Sequence, residues 1–140
     1  MSFWNSFYHI WVGGNVVFLS VFRMGVMCEK IITLGAESFF QGKVDKNTIS
    51  EIGKEIDDSE KEIESICMKL LLQQQPVAKD LRQISSALKM ITDMKRIGNQ
   101  VENIVELATN LDSTYAENYM SIGRMAESTI RMVKFSIQAF

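Results

Sequence analysis

An all-α fold is the class this sequence predicts, and three observations carry it. Only one proline, Pro76, interrupts 140 residues, and proline is the residue least tolerated inside a helix. Apolar side chains recur at intervals of three and four through most of the chain, the spacing that gathers them on one helical face. Runs of β-branched residues, which favour strands, are few. The resulting expectation is an antiparallel three-helix bundle followed by a fourth helix, each burying one apolar stripe.

Helix one is expected to run to about Phe40 and stop near Gln41 and Gly42, glycine being the usual residue just past a helix end. A turn follows at residues 43–47. Thr48, Ile49, Ser50 and Glu51 form a capping-box pattern, in which threonine and glutamate each satisfy an orphan amide of the first turn. Helix two carries Ile49, Ile52, Ile56, Ile63, Ile66, Leu70 and Leu71 on one face and reaches about Gln74. Gln75 and Pro76 mark a stop and restart, because proline fits the first turn of a new helix and breaks an old one. Helix three places Val77, Leu81, Ile84, Leu88, Ile91, Met94, Val101, Ile104 and Ala108 on one stripe and ends around Asn110. A second capping box, Thr114 to Glu117 in pattern, opens helix four, with a stripe of Ile122, Met125, Thr129, Met132 or Val133, Ile137 and Phe140. That helix carries no stop signal. Gly25, Gly35, Gly98 and Gly123 fall inside helical patterns, where each costs about 1 kcal/mol relative to alanine. Close approach of a neighbouring helix is the expected compensation.

Composition excludes several classes. A hydrophobic share of 46% with 23% charged residues suits a folded domain rather than disorder. A net charge of −2, with no basic patch interleaved with aromatics, gives nucleic-acid binding no support. Cys28 and Cys67 make neither a disulfide framework nor a zinc spacing; Cys67 falls on an apolar face and reads as a small core side chain. Residues 1–22 contain no charged residue at all. They lack the basic start and cleavage site of a signal peptide, and the apolar run from 10 to 22 is broken by Gly13, Gly14 and Asn15. The expected role is a greasy extension of helix one, packing on the bundle or on another chain. Helix two carries seven acids against two lysines over residues 51–64, a solvated face or a docking surface for a basic partner.

Gln75, Pro76, Ala78, Asp80, Leu81 and Arg82 reproduce a motif at the start of a helix, and Lys95, Arg96, Ile97, Gly98 and Asn99 a degenerate form of a second. With them the chain resembles the PhoU family of phosphate-signalling proteins, over residues 29–107 most specifically. The resemblance implies two similar three-helix bundles in tandem. Residues 24–111 would be the first, residues 1–23 an apolar extension of its opening helix, and residues 112–140 the first helix of a second, incomplete one. It implies a non-enzymatic, cytoplasmic negative regulator of phosphate uptake and phosphate-starvation signalling. Such a protein docks to a phosphate ABC transporter and a sensor histidine kinase, at the inner face of the plasma membrane. The alternatives are a membrane-tethered accessory domain of a phosphate transporter and an inactive fragment. Self-association into a homo-oligomer is expected from the apolar stripe of helix four.

The family is thought to hold iron or zinc on carboxylates spaced i and i+4, which lie one turn apart on a helix. In this sequence Lys95 and Asn99 stand at such a pair, and Gly53 where many relatives have an aspartate. An ammonium repels a cation and an amide oxygen is a weak ligand, so no metal, cofactor or catalytic residue is expected. His9, the single histidine, sits in an uncharged apolar segment with no carboxylate or nucleophile nearby. Gly13 and Gly14 lack the lysine and hydroxyl residue of a phosphate-cradling loop. The nine methionines read as core filling.

Overall fold

The computed structural model describes residues 3–41, 45–73, 77–110 and 119–140, with side chains from Val12 onward except at 39, 41, 73 and 119. Four helices make up nearly all of this: α1 (Phe3–Gln41), α2 (Lys46–Gln73), α3 (Ala78–Ala108) and α4 (Tyr119–Ala139). No strand occurs among the described residues. The all-α expectation holds. Gly42, Pro76 and the Thr114–Glu117 capping pattern lie outside the described residues, as does the His9 side chain.

Neighbouring side chains fix the helix directions. Gly13 of α1 lies against Leu70 of α2, and Gly98 of α3 against Ile56 of α2, so α2 runs antiparallel to both neighbours. Gly35 meets Val101, and Cys28 donates to the backbone oxygen of Met94 at 3.6 Å, so α1 and α3 run in parallel. The result is an up-down-up bundle. Its core on α1 is Val17, Val21, Met24, Cys28 and Ile31, continued by Gly35 and Ser38; on α3 it is Ile84, Ala87, Ile91, Met94, Gly98, Val101 and Val105. Both sets alternate strictly between three and four, the 3.5-residue period of knobs-into-holes packing. On α2, Ile49, Ile52, Ile56, Ile63 and Cys67 face them. Each large aliphatic side chain so buried is worth about 1.5–3 kcal/mol. The one buried polar side chain among them, Ser38, satisfies its hydroxyl on the Gly35 carbonyl at 2.6 Å.

Two expectations need correction. Val77, Leu81 and Ile104, assigned to the stripe of helix three, are exposed, whereas Ala87, Gly98 and Val105 are buried. The seam follows the heptad rather than the largest apolar residues, and small residues occupy it where helices approach closely. The start of α2 also differs: Asp45, not Thr48, is its cap. The Asp45 carboxylate accepts from the Thr48 amide at 3.1 Å and from the Thr48 hydroxyl at 2.6 Å. A carboxylate outcompetes a hydroxyl at the positive end of a helix, so the helix begins earlier, at Lys46.

The fourth helix lies antiparallel along α1 and makes no close backbone approach to α2 or α3. Ile137 seats on Gly25, Phe40 on Gly123, and the rings of Phe18 and Phe140 stack 5.9 Å apart at 8°. Lys134 adds an ion pair to Glu29 at 3.5 Å. Of its expected stripe, Val133 and Ile137 are buried while Met125 and Met132 are exposed. The choice left open between Met132 and Val133 is thus settled for Val133. Between α3 and α4 a groove of about 710 Å³ remains, floored by Ile32, Gly35 and Ala36 and walled by Ile104 and Met125.

Candidate functional site on the face between α2 and α3

The antiparallel register that sets Gly98 against Ile56 brings Lys95 opposite Glu60, one turn further along each helix. The ammonium donates to Glu60 Oε2 at 2.7 Å. Asp57 Oδ1 lies 4.0 Å from the same nitrogen, too far for a hydrogen bond, and is buried without a hydrogen-bond partner. The hydrogen bond and charge of Glu60, with smaller contributions from Asp57 and Glu64, hold the Lys95 pKa above the usual lysine value. Lys95 is therefore a fixed cation here and not a proton acceptor.

At the other end of this face the Glu102 side chain of α3 occupies the space above Gly53, where a β-carbon would collide with its carboxylate. An aspartate at 53 would need that volume. Asn99 is exposed on the same side of α3. These residues do not fit a metal cluster: Gly53, Lys95 and Asn99 give no anionic oxygen, Glu60 is bonded to the Lys95 ammonium, and among the described residues no three potential ligands converge.

The seven acids of helix two divide into two groups. Asp57 and Glu60 turn toward α3, whereas the other five are exposed: Glu51, Glu55, Asp58 and Glu62 in an outward row about 16 Å long, and Glu64 off that row. Lys61 contacts Asp58 at 3.7 Å, an exposed pair of little energetic weight. The sequence reading missed the Lys95–Glu60 pair. Its signal was present in the charge contrast between an acidic helix two and a basic helix three, but pairing partners needed the register.

A family model described as the PhoU domain matches residues 21–108. Among curated proteins, the phosphate-specific transport system accessory protein PhoU homolog of Clostridium acetobutylicum is 35% identical over 84% of this chain and 55% of its own length. That of Aquifex aeolicus is 30% identical over 86% of this chain and 55% of its own. That of Synechocystis sp. is 34% identical over 65% of this chain and 41% of its own. The chain belongs to the PhoU family. It spans about half the length of these relatives. No solved structure matches.

Proposed function

We propose that this chain is a non-enzymatic regulator in phosphate transport, acting by docking to a phosphate ABC transporter and its sensor kinase to restrain the starvation response. The PhoU-domain match over residues 21–108, with relatives named as transport-system accessory proteins, carries this reading. The outward row of Glu51, Glu55, Asp58 and Glu62 supports it, since a rigid acidic helix face complements a basic partner surface and speeds encounter. Docking on a rigid surface shifts a partner between its states only if the surface binds one state better.

In the same reading residues 24–111 form a complete bundle and residues 112–140 the opening helix of a second repeat. The groove left between α3 and α4 supports that division. The α2–α3 face carries its own cation, Lys95, rather than a bound metal. The protein works in the cytoplasm, beside the membrane that holds the transporter.

Co-purification from cells grown with ample phosphate tests the reading. Recovery of the transporter's ATPase subunit or the sensor kinase, lost in Glu55→Lys, Asp58→Lys, Glu62→Lys, is the expected result. Recovery of neither partner, together with an unchanged starvation response on expressing the chain, would overturn it.

A further inference from the structure

We propose that the outward face of α1 lies on an anionic lipid surface. Val17, Val21 and Met24 turn into the bundle, which accounts for one apolar stripe on this helix. A second stripe has no such partner among the described residues: Val16, Leu19, Phe22 and Val26 are 41%, 63%, 50% and 49% exposed, one per turn over about 15 Å. The fold does not need it.

Charge decides what covers this stripe. Arg23 and Lys30 are exposed, lie on the same side of the helix as Val16, Leu19 and Val26, and pair with no carboxylate among the described residues. Glu29, the nearest acid, is turned toward α4 and held by Lys134. Everything before Arg23 is uncharged. The charged side chains that face outward along the stripe or within a turn of it, Arg23 and Lys30, are both basic, and the exposed Glu37 lies about two turns beyond Lys30. Such a stripe suits the boundary between acyl chains and anionic headgroups, where long cationic side chains reach out to phosphates. A second copy paired on the centre of this stripe would bring the two Arg23 side chains together, which repels. No described helix is long and apolar enough to cross a membrane, so α1 would lie in the interface plane.

This deepens the reading of a chain working beside a membrane transporter and rests on it only for that location; vesicles free of protein test it separately. The full chain is mixed with phosphatidylcholine vesicles, or with vesicles three parts phosphatidylcholine to one part phosphatidylglycerol, and sedimented. Binding to the anionic vesicles, several-fold weaker on neutral ones and weakened by salt, is expected. Leu19→Glu with Phe22→Glu should abolish it with helicity unchanged. Arg23→Gln and Lys30→Gln, which leave the apolar stripe intact, should each lower it about fivefold. No sedimentation with either vesicle, equal binding to both, or full binding by the Leu19/Phe22 variant overturns the proposal. Loss of self-association by the Leu19/Phe22 variant with its vesicle binding kept would assign this face to a second copy instead.

Discussion

Ile137 closes over the α-carbon of Gly25, leaving no room for a β-carbon between them. This contact, near the C-terminal end of α4, fastens that helix to α1. Gly25→Val should therefore pry α4 away, at about 1–3 kcal/mol for the overpacked contact. Hydrogen exchange is the measurement. Amides of residues 119–139 should lose protection while those around Cys67 and Ile91 keep theirs. Equal loss in both regions would mean that α4 and the bundle unfold as one unit.

The chain is expected to bind iron or zinc poorly, because Lys95 holds Glu60 and neither Gly53 nor Asn99 offers an anionic oxygen. Lys95→Glu combined with Asn99→Asp should raise the affinity, and adding Gly53→Asp should raise it again once Glu102 swings aside. Elemental analysis after dialysis reads the outcome. A tightly held ion in the unmodified protein would refute the expectation.

Burial pushes the Cys28 thiol from its ordinary 9.0 to about 12 and the Cys67 thiol to about 11. In the unfolded chain both ionise near 9, so between pH 9 and 12 the unfolded state binds fewer protons and stability falls as pH rises. Below pH 9 both states are protonated and the effect vanishes. Cys28 alone accounts for on the order of 3–4 kcal/mol across its window. Urea midpoints measured from pH 8 to 11 should decline, and Cys28→Ala should flatten the decline. A thiol reagent should react with neither cysteine until urea is added.

Self-association is the fourth expectation, carried by Met125 and Met132 of the stripe the sequence suggested, with Phe135 in place of Ile137. Ile137 is spent on α1, whereas Met125, Met132 and Phe135 form an exposed row on α4. Several large apolar side chains exposed in one row drive pairing. Sedimentation velocity at micromolar concentration should show a species that grows with concentration, and Met132→Glu with Phe135→Glu should shift it to monomer. A concentration-independent monomer for the unmodified chain would contradict this.

The bundle was legible because Ile49, Ile52, Ile56, Ile84, Ile91 and Met94 announce their faces by size and spacing alone. Ala87 did not, since a small side chain in a seam carries no hydrophobic signal of its own; Gly98 was legible only as a point of close approach, its partner Ile56 needing the fold. The same limit applied at the candidate site. That Lys95 removes a metal ligand could be read along one helix; that it satisfies Glu60 needed the offset between two. Asp45 is masked in the sequence by a capping-box pattern three residues later, and sequence pattern does not rank a carboxylate against a hydroxyl competing for one amide.

The seam between α1 and α4 has a mechanical consequence. A partner that grips α4 and pulls sideways loads one ply of contacts at a time, from Gly123 on Phe40 down to Phe140 on Phe18. Such peeling needs far less peak force than shearing α2 out from between two neighbours, where every turn resists together. Helix α4 is thus the element that a sideways pull separates at the lowest force.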